Sequence, residues 1–526
     1  MKNQAAYINN RFDSIIKSVE KNKYLSNLSN CFGYSQENIK NRIVQRVVEI
    51  CFPAFTKRCR ILENSGLKIF PEDGELLNLS GILIDPQNGN IKLTTICMLK
   101  LLVDCILRFM HFVIYIYYYG KKRGINSLHL ESATLLLGVG DGSIFVDQDD
   151  SRFVDFCRKG PIVPLSSATN LIVQSFLKDS MSSGEHIFYS RYPFHTLVSF
   201  SKISFAGRIH LSMMSLIGLL KFFYFVIKSP ALMLLANDIP YVFAAKVLDK
   251  KKIIENIIIT NSYFGSQPLW MQELCNCSLH MVWYSQNTRE FVYKSDNIVS
   301  EHPAYRHLNI DESWVWTHQF AKSLIQNSKK HKTHCVYPVL WYRPKDNLKA
   351  NNMSKLKIGV FDITPITKQA NFQLGLSGHF CNAETMTSFI RDIVELKKAI
   401  ELKMSLKVEV SVKVKRNYNP GHDQSYIKQL QRLEESGVIT LPQNNIDLFS
   451  FISNCSFVVV IPNSSPALVA EYIGIPSIYY DPTKILQPNN ETGKNIWFAS
   501  GYDELLDTSF RVLGKAADLK KEERYF

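Results

Sequence analysis

The sequence predicts an α/β protein of two Rossmann-like domains facing a cleft, with a helical region ahead of them. Three observations carry that prediction. Beyond residue 130, short β-branched runs alternate with helix-length segments, the pattern of a doubly wound parallel sheet. A polar stretch, RPKDNLKANNMSKLK (343–357), interrupts the alternation without apolar periodicity and reads as a linker. The first 130 residues read as helical, with runs such as NRIVQRVVEICFPAF (41–55) in which no chemistry is apparent. The domains expected are therefore a helical region over 1–130, a first Rossmann-like domain over 131–345 and a second over 355–526.

In the first domain the predicted strands are 132–139, 170–176, 256–264, 280–286, 313–319 and 334–342. In the second, KIGVFDITP (357–365), LKVEVSVKVKR (406–416), GVITLP (437–442), FVVVIP (457–462) and a final PSIYYDP (476–482) read as strands. Helices are expected between them over 383–403, 424–436, 446–455 and 465–474, with a closing helix near 503–514.

Two apolar stretches stand apart. Residues 96–119 place Lys100, Asp104, Arg108 and His111 on one stripe of an otherwise apolar helix, and residues 209–236 carry Lys221 and Lys228 on one face before Pro230. A charged stripe beside a broad apolar face suits a buried or interfacial helix better than a spanning one.

The chain has 526 residues, 46% of them hydrophobic and 21% charged, which sets aside a single small module and a low-complexity chain. With 61 Lys and Arg against 47 Asp and Glu, the net charge is +14, favouring anionic partners. Eleven scattered cysteines form no disulfide framework, and Cys275-Asn-Cys277 has no second pair at zinc spacing, so no metal is expected. The N-terminus lacks the apolar core of a secretory signal, which points to a cytoplasmic protein, and the net charge with the two apolar stretches suits a peripheral place at the inner face of the membrane. No nucleic-acid motif is visible.

The junction VVVIPNSSPALVAEYIG runs a strand into a helix through Asn463, Ser464 and Ser465, with Pro466 suited to its first position. Helix-terminal amides there form an anion site, the hydroxyls of Ser464 and Ser465 can add hydrogen bonds to a phosphate, and Glu471 can accept from a ribose. The same residues suit an ordinary N-capped helix. Lys413, Lys415 and Arg416 alternate at another strand end, where Lys415 or Arg416 can neutralise phosphate.

The segment from Lys415 through His422 and Tyr426 to PNSSPALVAEYIGIPSIYYDPT resembles the bacterial surface-polysaccharide biosynthesis proteins named for a Pro-Phe-Thr-Ser motif. The tetrapeptide here is Pro462-Asn463-Ser464-Ser465, with Thr replaced by Ser and Phe by Asn. VWYSQN (282–287), SWVW (313–316), VFDITP (360–365) and RFVDFCRKGPIVPL (152–165) extend the resemblance over roughly residues 150–485. It implies a GT-B glycosyltransferase fold, with an acceptor-side domain first and a nucleotide-sugar-binding domain second. A looser similarity to sialyltransferase-like and Kdo transferase-like enzymes implies CMP-sugars, with UDP-sugars close behind, and a role for His422 at the donor phosphate.

Inverting transfer needs a base for the acceptor hydroxyl. Asp141, among glycines after a predicted strand, is the preferred candidate; Glu301-His302 and Asp362 are the others. Asp362 with Thr364 is better suited to the donor side, and Tyr284, Ser285, Gln286 and Asn287, with Glu301 and His302, to the acceptor. The function expected is transfer of a sugar from a nucleotide-sugar to a growing O-antigen, capsule or related glycan, lipid-linked at an anionic membrane surface, without cofactor or metal. A sugar-nucleotide epimerase, a polyol-phosphate transferase or a non-catalytic membrane- or nucleic-acid-binding protein are the alternatives.

Overall fold

The computed structural model describes residues 17, 19–20, 22, 24–47, 49–50, 81–84, 91–122, 131–138, 169–174, 180–182, 187–260, 267–285, 293–294, 308–327, 332–335, 356–365, 380, 382–414, 418, 422–443, 446–488 and 495–522. The chain forms two compact units, Met1–Tyr284 with Pro303–Trp341, and Ser285–His302 with Tyr342–Phe526. The helical N-terminal residues therefore belong to the first unit rather than standing as a separate region, and the segment after Tyr284 groups with the second.

A two-stranded antiparallel ribbon, β1 (Ile82–Ile84) with β2 (Ile91–Leu93), precedes the main sheet of the first unit. That sheet comprises β3 (Ala133–Leu137), β4 (Asn170–Gln174), β5 (Ser180–Ser182), β6 (Ile187–Ser190), β7 (Ile254–Thr260), β8 (Ser278–Val282), β9 (Glu312–Val315) and β10 (Lys332–Cys335). Its spatial order is β10-β9-β8-β7-β3-β4-β6-β5, parallel except for β5. From β6 the parallel strands run third, second, first, fourth, fifth, sixth, seventh in chain order, the doubly wound dinucleotide-fold arrangement with one strand added at its edge, whose order reverses between β3 and β7. Buried runs such as Leu135, Leu136 and Leu137 in β3 follow from having both faces covered.

The covering helices include α1 (Leu25–Phe32), α2 (Thr95–Lys122), α3 (Pro193–Phe200), α4 (Phe205–Lys228), α5 (Ile239–Lys250) and α6 (His318–Asn327), with a 3-10 helix at Pro230–Leu235. Helix α2 serves two cores. Cys97, Leu101 and Cys105 pack with α1, helical residues 36–47 and α4, whereas Phe112 and Ile116 pack with α3, α5 and the sheet. Arg42 ties the first of these together: its guanidinium donates to both carboxylate oxygens of Asp238, at 2.5 and 3.2 Å, with both side chains buried. That shared core joins the described residues ahead of β3 to the first unit.

In the second unit β11 (Leu356–Phe361), β12 (Val408–Lys413), β13 (Phe457–Val460), β14 (Ser477–Asp481) and β15 (Ile496–Ser500) form one parallel sheet, ordered β12-β11-β13-β14-β15. Helices α7 (Ala383–Met404), α8 (Gln424–Glu435), α9 (Leu448–Ser453), α10 (Ser465–Tyr472) and α11 (Tyr502–Glu522) connect and follow the strands. The order reverses between β11 and β13.

Several expectations need correction. GVITLP (437–442) is not a strand: after the left-handed turn at Gly437 only Thr440 bridges, to Ser411 on the outer edge of β12. PSIYYDP is not the last strand, because β15 follows, five residues of which Ile496, Trp497 and Phe498 favour a strand. SWVWTHQ divides between β9 and the start of α6. The apolar stretch 209–236 breaks after Lys228 into the 3-10 helix, where Pro230 cannot continue α4. Most of the 343–357 stretch lies outside the described residues.

Candidate functional site

In open α/β sheets ligands bind beyond the carboxyl ends of strands where the order reverses. In the second unit that point lies between β11 and β13, and the residues following these two strands are Asp362 to Thr364 and Asn463 to Ser465, all but Ile363 and Asn463 buried.

After β11, the Asp362 carboxylate is fixed by its surroundings. Its Oδ2 accepts from the Tyr426 hydroxyl at 2.9 Å and from the Thr364 hydroxyl at 3.3 Å. Tyr426 comes from the first turn of α8, which is capped by Asp423 accepting from the amides of Ser425 and Tyr426. Burial, and then the charge of Asp362, holds the Tyr426 phenol well above its ordinary range, so it stays a donor. Burial followed by the same charge pushes Tyr418 up to about 12. Asp362 is thus a preoriented anionic acceptor, suited to hydroxyl groups rather than to phosphate.

After β13, the chain turns into α10 through Asn463, whose φ of 62° is left-handed. Asn tolerates that region better than most side chains, which accounts for its place in this tight strand-to-helix turn. Ser464 occupies the N-cap position, yet its side chain does not cap the helix; its hydroxyl donates to the Ile461 carbonyl at 2.5 Å. Ser465 opens the helix, Pro466 follows at the second position rather than the first, and Ser465 Oγ lies 3.3 Å from Ser285 Oγ. The positive end of the α10 dipole with no side-chain cap is suited to an anion. Glu471 is half-buried in the last turn of α10.

His422 is buried immediately before the α8 cap, and its carbonyl accepts from the Gln424 side chain. Lys413 ends β12, its ammonium pKa lowered chiefly by burial. Tyr284 follows β8 in the first unit, while Ser285 is the first residue of the second, so the chain divides within the expected acceptor cluster. Asp141, Asn287, Glu301, His302, Lys415 and Arg416 lie outside the described residues.

The sequence pattern of a family described as polysaccharide biosynthesis PFTS motif proteins matches residues 217–508, more than half of the chain. The chain belongs to that family. In this PFTS motif protein the tetrapeptide Pro462-Asn463-Ser464-Ser465 is the turn between β13 and α10. Among solved structures it is similar to sucrose-phosphate synthase from Thermosynechococcus elongatus, at 12% identity over 73% of this chain and 90% of that one, with a TM-score of 0.39. It is also similar to the apo form of the lipopolysaccharide outer core galactosyltransferase WaaB, at 9% identity over 73% and 90% of the two chains and a TM-score of 0.33. The glycosyltransferase SnogD from Streptomyces nogalater gives 10% identity over 73% and 95%, with a TM-score of 0.30. No curated protein matches by sequence.

The first unit of the PFTS motif protein holds a concave site that sequence reasoning missed. A cavity of about 560 Å³ is lined by residues of β3 and β4 (Leu137, Gln174), α2, the N-terminus of α3 and the helical residues near Arg42. The only sequence signal was the Lys100, Asp104, Arg108 and His111 stripe, three members of which face this cavity. Arg42 and Arg46 sit in a segment where no chemistry was apparent, and most of the lining precedes the family-matched residues.

Proposed function

We propose that this PFTS motif protein is a GT-B glycosyltransferase that moves a sugar from a CMP- or UDP-linked donor to a growing surface glycan. The observation that carries the reading is the convergence, at the reversal point of the second sheet, of a fixed carboxylate with an uncapped helix N-terminus. The two halves suit a nucleotide-sugar: Asp362 and Thr364 hold hydroxyl groups, while the amide end of α10 with Ser465, assisted by Lys415 and Arg416, neutralises phosphate. Glu471 serves the ribose. His422 acts at the departing phosphate and Asp141 removes the acceptor proton with inversion, the leaving group being stabilised by side chains and amides without a metal. Tyr284, Ser285, Asn287, Glu301 and His302 contact the acceptor in this reading.

The protein works at the cytoplasmic face of a membrane. Helix α2 exposes Ile96, Leu99, Val103, Met110 and Ile114 at helical spacing, and α4 exposes Phe205, Ile209, Leu220, Tyr224 and Ile227. Helix α4 is long and apolar enough to cross a bilayer, yet Leu211, Leu219, Phe222 and Val226 are buried against the unit. One face is thus committed to protein and the other supports docking in the interface, aided by the net charge of +14.

The test is thermal stabilisation of the full chain by CMP, CDP, UDP and GDP, repeated with Asp362→Asn and Ser465→Ala. One nucleotide is expected to raise the melting temperature of the parent and less so of either variant, since a ligand of the folded state must stabilise it. No stabilisation by millimolar nucleotide refutes the reading.

A further inference from the structure

The cavity in the first unit has features of a binding site that the donor-side chemistry does not use. Two polar atoms on its wall lack hydrogen-bond partners among the described residues: Nε2 of His195, which is 5% exposed, and Oδ1 of Asn237. Buried polar groups left unpaired are costly, and a site for a polar ligand accounts for such orphans. Asn237 Oδ1 needs a donor, and a hydroxyl meets either atom.

The charges on the wall are nearly balanced. Four arginines, Arg42, Arg46, Arg108 and Arg191, face Glu49, Asp104 and Asp238. Arg42 binds Asp238 and Glu49, Arg46 binds Glu49, and Arg108 binds Asp104 at 3.0 Å. Such a wall offers fixed hydrogen-bonding groups without the strong positive field a polyanion would select. Apolar ring surface completes it, with Phe194 packed against Trp270 at 4.5 Å and Tyr241 at 5.8 Å. Convergent polar groups between aromatic walls in a cavity of this volume fit a small polyhydroxylated ligand.

The cavity is also continuous with an apolar surface. Leu107 lines it and is 62% exposed, and Val103 and Met110 are exposed on the same α2 helix. We propose that this cavity binds the sugar headgroup of an amphiphile, a lipid-linked saccharide, whose tail lies along the exposed face of α2. Its use as the acceptor site rests on the glycosyltransferase reading; the binding itself does not.

The experiment is calorimetric titration of the full chain with octyl glucoside, octyl galactoside and octyl N-acetylglucosaminide below their micellar concentrations. The free sugars and dodecylphosphocholine are titrated alongside. At least one glycoside is expected to saturate a single site about 10-fold or more tighter than its free sugar, because tail burial adds to headgroup binding. Dodecylphosphocholine is expected to bind more weakly. His195→Phe and Asn237→Leu are each expected to weaken the glycoside about 10-fold, the loss typical of a buried hydrogen bond. Hydrogen exchange verifies that each variant is folded, and Asp362→Asn should leave glycoside binding unchanged. If no glycoside saturates, if dodecylphosphocholine binds equally well, or if both folded variants bind like the parent, the proposal fails. Nucleotide stabilisation is read separately, so its loss with glycoside binding retained overturns the donor assignment alone.

Discussion

Acidification should destabilise the first unit through one identifiable side chain. The His195 ring lies between His111, Tyr115, Tyr192 and Tyr241, with ring centroids 5.1 to 5.4 Å away, and is 5% exposed. Burial first, then the neighbouring His111 and Arg108, depress its pKa from 6.5 to about 3. The unfolded chain takes up the proton near its ordinary pKa while the folded chain refuses it. The contribution to stability is therefore complete above the unfolded value and is lost as pH falls from about 6.5 toward about 3. At about 1.4 kcal/mol per pKa unit the whole window is worth about 5 kcal/mol, of which about 2 kcal/mol falls between pH 7 and pH 5. In native-state hydrogen exchange the slowest amides of α3 and β3 should lose roughly 30-fold of protection over that interval, after correction for intrinsic rates. His195→Phe keeps an aromatic ring and removes the titration. Its baseline can shift by about 1 to 3 kcal/mol through overpacking, but most of the pH dependence should vanish. Some slope remains, because burial also lowers the pKa of His111 and His280. Equal pH dependence in parent and variant would refute the argument, since His195 would then not be held neutral.

Further predictions concern packing and docking. Arg42→Met removes the charged partner of buried Asp238, leaving it the Leu269 amide, and should cost about 3 to 5 kcal/mol, read as a lower urea midpoint of the first unit; an unchanged midpoint would mean that Asp238 needs no cation. Gly218→Ala places a Cβ 2.1 Å from a ring carbon of Phe243. It should destabilise by about 1 to 3 kcal/mol even though Ala favours helix by about 1 kcal/mol, and a raised melting temperature would show that the ring has room to move. Ile209→Glu combined with Leu220→Glu, both at exposed positions of α4, should abolish co-sedimentation with anionic vesicles while changing stability by only about 0.5 kcal/mol per site. Undiminished vesicle binding would remove α4 from the docking surface.

The legible parts of this molecule are those whose signal is local. Repetition of β-branched runs and amphipathic helices displayed both parallel sheets, because a strand covered on both faces must be apolar along its length, as Val458, Val459 and Val460 are. The turn at Asn463 to Ser465 was visible because helix N-termini have a characteristic composition. Short elements were misread for the same reason: Thr440 pairs as a single bridge, and Ile496–Ser500 is a five-residue run that shows itself as a strand by pairing with β14.

Sequence alone determined the alternating α/β character, the family-bearing motif and the apolar stripes of α2 and α4. Only the tertiary structure decided which residues meet. Strand order follows from which strands pair, and it brought Asp362 beside the Asn463 to Ser465 turn, about a hundred positions away along the chain. Side-chain direction decided that the Ser464 proton goes to Ile461 and that Tyr426 serves Asp362. The cavity near His195 depends on Arg42, Asp104, Asp238 and Trp270, which share no local pattern and converge because separate helices bury their apolar faces against one sheet. Composition and periodicity encode which face of an element is buried; what stands opposite that face is set by packing over the whole chain, and a site is made of such oppositions.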